Sequence, residues 1–311
     1  MALSLSLMQS ILTMFIWVAV GYVVVKAGLV TVENSKVLSS LTVYVFCPCM
    51  IFNAFQIELT EERIFGLIAA ILFAFAVYFV WIALSKVLRK PLSLDPVDEA
   101  SLVYGNVGNL VLPLVAMTLG DEMVFYASAI QVPFNFLFWT HGISVMQGRS
   151  QFQWKKIVTN FNLIAVVLGI IFLVFQWHLP SIVQASISGL SALVAPCSMM
   201  VVGMVLAGTS IKSIFTYKRA YGILFGRLIV YPLVALDLLY ISGITVRHPA
   251  LVSVLTVTVM SLSAPTASNV AQLAVVFDQK PTEASIYNIL SLFFCIITLP
   301  LMIWIYQAIF A

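Results

Sequence analysis

Residues 105–113 read GNVGNLVLP, and residues 261–269 read SLSAPTASN. Each stretch lies inside a segment that is otherwise apolar and long enough to cross a lipid bilayer. Glycine and proline interrupt a helix and leave backbone N–H and C=O groups without hydrogen bonds, and lipid cannot supply partners for these groups or for amide side chains. Such sequence is therefore found at this depth only where it is buried in protein or lines a cavity. Two interrupted segments at corresponding places in two halves of a chain indicate a binding site of the kind that transporters have.

The composition places the whole chain in a membrane. Of its 311 residues, 62% are hydrophobic and 9% are charged, and the mean hydropathy is +1.09. A soluble domain carries about 25% charged residues. We therefore expect one transmembrane domain over residues 1–311, with the lipid bilayer as its surroundings. The basic residues sit in short loops rather than in one patch, so no nucleic-acid partner is expected.

The ends of the first segment and the cysteines exclude two other interpretations. Residues 5–25 have no basic residue before them and Lys26 after them, which is the reverse of a secretory signal, so we expect a retained helix. All four cysteines fall in apolar segments without the spacing of a metal site. We therefore expect free thiols, no metal and no cofactor.

The apolar segments predict an all-α polytopic membrane protein with ten transmembrane helices. A span needs about 20 predominantly apolar residues. On that basis the helices are residues 5–26, 36–57, 63–86, 99–120, 123–147, 157–177, 181–209, 219–243, 249–275 and 284–308.

The loop charges predict how these helices are oriented. Twelve of the fifteen basic residues lie in the loops that follow the odd-numbered helices, whereas Arg63 and Arg247 lie in the opposite loops. Arg227 falls within the eighth helix. Basic residues favour the cytoplasmic side. We therefore expect both termini outside the cytoplasm, in the plasma (inner) membrane.

Ten helices divide into two sets of five, about residues 1–148 and 155–311. Because five is odd, the second set enters the membrane from the opposite side, so the two sets form inverted repeats. Short sequence similarities between the two sets are consistent with this repeat. LSSL at 38–41 precedes PCM in helix 2, and LSAL at 190–193 precedes PCS in helix 7. The two polar stretches then occupy helices 4 and 9 at matched depth.

A broken helix offers charge-bearing ends near the middle of the membrane. We predict that the second half-helices begin near Leu112-Pro113 and Ala264-Pro265, because proline suits a first helical position. Their N-termini carry about half a positive charge and would bind an anion such as a carboxylate. The side chains expected to orient it by hydrogen bonds are Asn106, Asn109, Thr266 and Asn269, with Ser263 and Ser268. The alternative is that glycine and serine only allow close packing while proline kinks the helix.

The same residues carry a resemblance to a known family. GNVG at 105–108 followed by LPL at 112–114, with APTASN at 264–269, resembles the signatures of the auxin efflux carrier family, which includes plant PIN auxin transporters and bacterial carriers. The resemblance covers essentially the full length. It implies helices 4 and 9 crossing at proline breaks marked by Pro113 and Pro265, transport by an elevator motion, an organic-anion substrate near Asn106, and a homodimer.

Two further amide positions are candidates for the site. Gln131 and Asn135 are four residues apart in helix 5 and share one face. They either face the substrate or bond neighbouring helices together. Asn53 lies in helix 2, five residues beyond Pro48. In the family that the sequence resembles, this helix borders the site, so Asn53 is a candidate for substrate contact.

The ionisable residues inside the predicted spans are candidates for proton coupling. Asp237 in helix 8 and His141 in helix 5 could each bind a proton, since an ionisable group at membrane depth is a functional candidate by default. Arg227 could snorkel to the interface or have a structural role. The sequence leaves proton coupling and facilitated transport both open.

The functional expectation is a carrier that exports a small organic anion, such as a carboxylate or an auxin-like acid. The alternative is a channel or a non-transporting sensor on the same fold. A channel would be expected to carry rings of charge or a filter motif, and neither is visible in the sequence. An enzyme is not expected, because the sequence has no HExxH motif and no paired aspartates within its helices.

Overall fold

The computed structural model describes residues 2–148 and 154–310, and these residues fold as helices joined by short connections. In the first half, the helices are α1 (Ala2–Lys26), α2 (Val32–Ala54), α3 (Glu61–Arg89), α4 (Pro96–Val103), α5 (Val107–Leu119), α6 (Asp121–Ala129) and α7 (residues 131–147). Residues 149–153, which include the predicted loop residue Arg149, lie outside this description.

The second half also contains both long and short helices. Its helices are α8 (Trp154–Val158), α9 (Phe161–Phe175), α10 (Ser181–Ala207), α11 (Ile211–Thr216), α12 (Lys218–Ser242), α13 (Ile244–Arg247), α14 (Leu251–Leu262), α15 (Ser268–Val276) and α16 (Pro281–Phe310).

Local sequence signals explain several of these boundaries. Thr60 caps α3 by accepting a hydrogen bond from the Arg63 N–H, and Asn160 caps α9 by accepting from the backbone N–H groups of Asn162 and Leu163. Side-chain oxygens at this position satisfy donors that the first helical turn leaves free. The predicted sixth span, residues 157–177, is therefore interrupted before Phe161.

Among the described residues, six helices are long and apolar enough to cross a membrane: α1, α2, α3, α10, α12 and α16. Shorter apolar helices are α5, α9 and α14. The chain is thus a multi-pass, all-helical protein, and the predicted interruptions in helices 4 and 9 are present as the gaps between α4 and α5 and between α14 and α15. The total of ten spans, the inverted repeat and the orientation stay predictions.

Helices α1 and α10 pack backbone against backbone. A Cβ atom on Gly203 would lie 1.9 Å from the carbonyl oxygen of Val18, and one on Gly21 would lie 2.2 Å from that of Met200. Glycine therefore permits the close approach, as small residues do at helix interfaces in membranes. This contact fixes α10, whose Val202 and Val205 form one wall of the cavity described below.

Candidate functional site

The two interrupted segments meet and pair with each other. The Asn106 N–H donates to the Pro265 carbonyl at 2.7 Å, and the Ala267 N–H donates to the Tyr104 carbonyl at 3.0 Å. Gly105 and Thr266 thereby form an isolated antiparallel bridge. We call residues 104–106 and 263–267 the crossing. Its pairing supplies partners for backbone groups that lipid would leave unsatisfied.

The prolines predict only part of how the second half-helices begin. Helix α5 begins at Val107, and the Asn106 side chain caps it by accepting from the Asn109 N–H at 3.3 Å. Residues Val107–Val111 form a π-helical turn, which is followed by Leu112 and Pro113. The wider turn accommodates a residue that lacks an N–H donor, so Pro113 is buried inside α5. The regular α-helical part of α5 begins at Leu112 with Pro113 in its first turn, as predicted, and the π-helical turn extends the helix back to Val107.

In the second half, Pro265 does lie at the crossing, as the sequence predicted. It is part of the extended connection, and α15 begins three residues later, at Ser268. The predicted start near Ala264-Pro265 is therefore too early. The reason is that the Pro265 carbonyl and the Ala267 N–H are used in bonds to the other segment. Extended backbone at these residues leaves both groups free to form these bonds, whereas a helical turn would use them within the helix.

Arg227 occupies one side of the crossing. It is fully buried, in a π-helical turn of α12. Its guanidinium donates to the carbonyls of Leu102 (3.3 Å) and Val103 (3.2 Å) at the end of α4, and to those of Leu262 (3.0 Å) and Ala264 (2.9 Å) at and beyond the end of α14. These ends carry partial negative charge. One cation thus stabilises both first half-helices. Of the two roles considered for Arg227, its burial fits the structural role and excludes snorkelling to the interface.

Neighbouring residues hold this guanidinium in place. It lies 5.1 Å from the centroid of the Trp81 ring, a favourable position for a cation over an aromatic face. The Trp81 indole N–H donates to the Tyr231 carbonyl at 2.9 Å. A Cβ atom on Gly105 would lie 2.0 Å from Arg227 Nη2. The glycine is therefore required by the space that the arginine occupies.

A cavity of about 560 Å³ lies on the other side of the crossing. Asn106, Asn109 and Ser268 lie where the two second half-helices begin, and the exposed residues Glu33 and Lys36 lie at its rim. The Asn106 amide donates to Ser268 Oγ at 3.3 Å, which links the start of α5 to the start of α15. The remaining polar lining residues are Ser35, Ser39, Ser40, Thr42, Ser198, Gln272, Ser285 and Asn288.

The electrostatics of this cavity suit an anion. The N-termini of α5 and α15 both meet it, and N-terminal N–H groups with their partial positive charge bind carboxylates and phosphates. No side-chain hydrogen bond caps α15 at Ala267. Glu33 and Lys36 are the charged residues of the described lining, and that lining contains no aromatic side chain. Within residues 2–148 and 154–310, no group of His, Cys, Asp and Glu is arranged to hold a metal.

Two predicted site residues of the second half lie beside this cavity and not on it. Thr266 is fully buried. Its N–H donates to Ser291 Oγ at 3.0 Å and its carbonyl accepts from the Asn288 amide at 2.8 Å, so it ties the crossing to α16. Asn269 is half-buried on α15, outside the lining. The sequence analysis missed Asn288, which lies 22 residues after Thr266 in an unbroken helix and gave no local signal.

Asn53 lies in a different cavity. This second cavity, of about 410 Å³, is lined by Asn53, Gln56, Glu58, Arg63, Asp121, Glu122 and Gln184 among others. The Asn53 side-chain oxygen accepts from Gln184 Nε2 at 2.6 Å and from Ser188 Oγ at 3.2 Å. Asn53 is therefore bonded to α10, and the structure does not bring it together with Asn106.

Gln131 belongs to a chain of amides between helices. The Asn135 amide donates to Gln131 Oε1 at 3.2 Å, and the Asn160 amide donates to Asn135 Oδ1 at 3.1 Å. Gln131 and Asn135 are buried. Of the two interpretations of this pair, the contacts fit hydrogen bonding between helices, since Gln131 does not line either described cavity.

The two candidates for proton coupling have different surroundings. Asp237 is exposed on the surface of α12 and lines neither described cavity. His141 lies beside the crossing, with Nδ1 3.0 Å from the hydroxyl of Tyr104. The structure thus brings His141, and not Asp237, near the residues that pair at the crossing.

The fold and the site together are those of a multi-pass membrane transporter, and comparisons of the sequence with known proteins agree. The chain belongs to the membrane transport protein family, the auxin efflux carrier-type family that its motifs resemble: the family model matches residues 6–153 and 149–303. It is also 26% identical over 219 residues to an uncharacterized transporter of Methanocaldococcus jannaschii, a match that covers 66% of this chain and 70% of the relative.

Proposed function

We propose that this protein is a secondary carrier that exports a small organic anion across the plasma membrane by alternating access of an elevator type. The observation that carries the proposal is the asymmetry of the crossing. The N-termini of α5 and α15 meet a polar cavity, while Arg227 occupies the C-terminal ends of α4 and α14. An anion in the cavity would meet partial positive charge without meeting the opposing partial negative charge.

The cavity supports a small polar substrate. Its volume of about 560 Å³ is within the range of about 300–1,000 Å³ of small-molecule sites. Hydroxyl and amide groups line it near the crossing, where no fixed positive side chain would hold an anion too tightly for release. Because the described lining has no aromatic side chain, a carboxylate with an aliphatic body fits it better than an auxin-like aromatic acid.

The position of the rim supports export. Lys36 lies at the rim, and it belongs to the set of basic loops that the charge distribution predicts to be cytoplasmic. In that orientation the cavity receives its substrate from the cytoplasm. The proposal includes ten spans in two inverted repeats, and a homodimer as the functional unit. The boundary between the two family matches, near residues 149–153, coincides with the predicted boundary between the repeats.

The paired backbone at the crossing favours a carrier over the alternative of a channel. In this proposal the barrier at the inner end of the cavity is the crossing, which is paired by hydrogen bonds between Asn106 and Pro265 and between Ala267 and Tyr104. A channel conducts through a continuous path lined by its selectivity groups. In a carrier the closed side opens only after the protein rearranges around its ligand, which makes the flux saturable.

Uptake into proteoliposomes tests the proposal. Labelled pyruvate, malonate and indole-3-acetate represent monocarboxylates, dicarboxylates and indole acids. We expect saturable uptake of an aliphatic acid, its loss in Asn106→Ala, and its retention in the matched variant Asn53→Ala, whose amide lies in the other cavity. Ohmic, non-saturating current would contradict the carrier, and equal uptake by both variants would contradict the assignment of the substrate to the cavity that Asn106 lines.

A further inference from the structure

A second cluster of buried polar groups lies beside the crossing and has no part in the anion cavity. It consists of Glu99 in α4, Tyr104 at the crossing and His141 in α7. Glu99 is 1% exposed and Tyr104 is fully buried. We propose that Glu99 and His141 form a proton-binding site that is linked to the crossing through Tyr104. The inference rests on the proposed function for its role in transport, although the site itself can be tested without a substrate.

The hydrogen bonds of Tyr104 indicate which ring nitrogen of His141 carries the hydrogen. The Tyr104 hydroxyl donates its single proton to the Leu137 carbonyl at 2.9 Å. The His141 Nδ1 atom lies 3.0 Å from the same hydroxyl oxygen. We assign the hydroxyl proton to the Leu137 carbonyl, and with that assignment Nδ1 carries the hydrogen and donates it to the hydroxyl oxygen. In a neutral imidazole only one nitrogen carries a hydrogen, so Nε2 is then a bare acceptor.

The bare nitrogen faces a carboxylate. Nε2 of His141 lies 3.9 Å from Oε1 of Glu99 and has no hydrogen-bond partner. Oε2 of Glu99 is buried and also lacks a hydrogen-bond donor. Oε1 lies 3.4 Å from Ser85 Oγ, whose single proton has a nearer acceptor in the Ile82 carbonyl at 2.9 Å. Two acceptors therefore face each other with no hydrogen between them. Burying polar atoms without partners costs free energy, and one added proton relieves this cost.

The bound proton completes an ion pair. A proton from water adds to Nε2 and gives an imidazolium that donates toward the Glu99 carboxylate, and the same bond breaks when the proton leaves. The net charge of the cluster rises by one. If one monocarboxylate occupies the anion cavity at the same time, the two added charges cancel. Co-transport of one proton with one monoanion would then be electroneutral.

Other charged and titratable groups lie around α4, and none of them lies between His141 and Glu99. From α3, Arg89 Nε lies 3.8 Å from Glu99 Oε2 with its side chain 55% exposed, which provides a route to water, and the charge of Lys86 acts on His141. From α12, Arg219 binds Asp98, Arg227 binds backbone carbonyls, and Tyr231 is within electrostatic range of Glu99. From α16, Tyr287 donates to Asp98. The His141–Glu99 gap is not filled by any of them.

Tyr104 connects this proton site to the anion cavity. Its carbonyl accepts from the Ala267 N–H, and Ala267 directly precedes Ser268, the first residue of α15 and a lining residue of the cavity. A change in charge at His141 acts on the Tyr104 hydroxyl at 3.0 Å. The same tyrosine contributes one of the two hydrogen bonds that pair the crossing, so the proton and the anion act on one element.

The first experiment determines the tautomer of His141 and needs no substrate. The protein has three histidines, so nitrogen-15 labelling of histidine gives a spectrum in which His141→Gln identifies the His141 signals. We expect the neutral ring to carry its hydrogen on Nδ1, and Tyr104→Phe to remove this preference. A ring with its hydrogen on Nε2 in the wild type would overturn the proposed site, whatever the protein transports.

The second experiment measures coupling in proteoliposomes that contain a pH-sensitive dye, with malonate and pyruvate as the added anions. We expect anion addition to move protons in the wild type, and uptake to change by up to about tenfold per pH unit, the limit for one proton. Both effects should disappear in Glu99→Gln and His141→Gln, while the exposed control Asp237→Asn keeps them. Uptake with no proton movement, or coupling that survives both substitutions, would overturn the coupling and leave the carrier intact. If neither anion is taken up by the wild type, the proposed function fails, and the tautomer alone decides the proton site.

Discussion

The two sides of the crossing are built from the same pair of broken helices but have opposite character. On one side, the carbonyl ends of α4 and α14 surround the buried Arg227, with Gly105 and Trp81 packed against it. On the other side, α5 and α15 begin at a cavity lined with amides and hydroxyls. The difference follows from helix polarity: a cation of the protein satisfies the negative ends, and the positive ends are left for a ligand.

The largest effect is expected from removal of the cation. Arg227→Met keeps much of the volume but leaves four carbonyl groups without their donor. An unsatisfied buried group costs about 1–3 kcal/mol, so the destabilisation should exceed about 3 kcal/mol. We expect a large fall in the melting temperature of the detergent-solubilised protein and no transport.

Arg227→Lys separates charge from geometry. Lysine keeps the charge but cannot reproduce the fork of donors that reaches both helix ends, so its stability should lie between those of the wild type and of Arg227→Met. If Arg227→Met melted and transported like the wild type, Arg227 would not hold the crossing together.

The next effect is steric and acts on the same side. In Gly105→Ala the added methyl group would lie 2.0 Å from Arg227 Nη2 and 3.1 Å from Ala264 Cβ. Overpacking of this kind costs about 1–3 kcal/mol, and here it also displaces the guanidinium. We expect a lower melting temperature and weaker transport.

Gly189→Ala is the matched control, because a Cβ atom there meets nothing within 4 Å. It should be neutral or slightly stabilising, as alanine is in an exposed helix. Equal melting temperatures for the two alanine variants would show that the crossing tolerates the methyl group.

A smaller effect is expected on the cavity side. Ser268→Ala removes the hydroxyl that accepts from the Asn106 amide at 3.3 Å. A neutral hydrogen bond contributes about 0.5–1.5 kcal/mol, so substrate affinity in uptake assays should fall by about two- to tenfold with the fold intact. Ser186→Ala, an exposed serine bonded to its own helix, should leave uptake unchanged. Equal losses in both variants would argue against a role of Ser268 in the site.

The smallest effect concerns the rim. Lys36 is exposed at the mouth of the cavity, so its charge should attract anions over a distance without holding them. We expect Lys36→Gln to slow uptake a few-fold at low salt and to have no effect at high salt, where charges are screened. Lys90→Gln, an exposed lysine outside the cavity, should not slow uptake at either salt concentration. A loss that persists at high salt would place Lys36 in the binding site itself.

The sequence predicts the features that depend on a short stretch of chain. Hydropathy identifies the membrane class, and the residue types at 105–113 and 261–269 predict two breaks that the structure contains. The start of α15 was misplaced, and the cap at Asn106 with the π-helical turn that precedes Leu112 was not predicted, because proline alone does not reveal these features. Local sequence gives the existence of a break but not its register.

Features that depend on tertiary approach were not predictable in this way. Arg227 is more than 100 residues away from Val103 in sequence, and only the approach of α12 brings its guanidinium to the crossing. Asn53 and Gln131 have the right residue type at membrane depth, yet the Asn53 amide is bonded to α10 and the Gln131 amide to Asn135 in its own helix. Residue type identifies a candidate, and packing determines which group it meets.

The central claim is that the cavity beside the crossing is an anion-binding site, and Asn106→Asp tests this claim most directly. Aspartate caps a helix as well as asparagine does, so α5 should form and the melting temperature should stay close to that of the wild type. Asn106→Ser, a neutral cap, is the control. The account predicts that Asn106→Asp lowers proteoliposome uptake of pyruvate and malonate at least about 30-fold, because the added charge repels an anion within a few ångströms, while Asn106→Ser retains measurable uptake. A folded Asn106→Asp variant that takes up these anions at the wild-type rate would contradict the account.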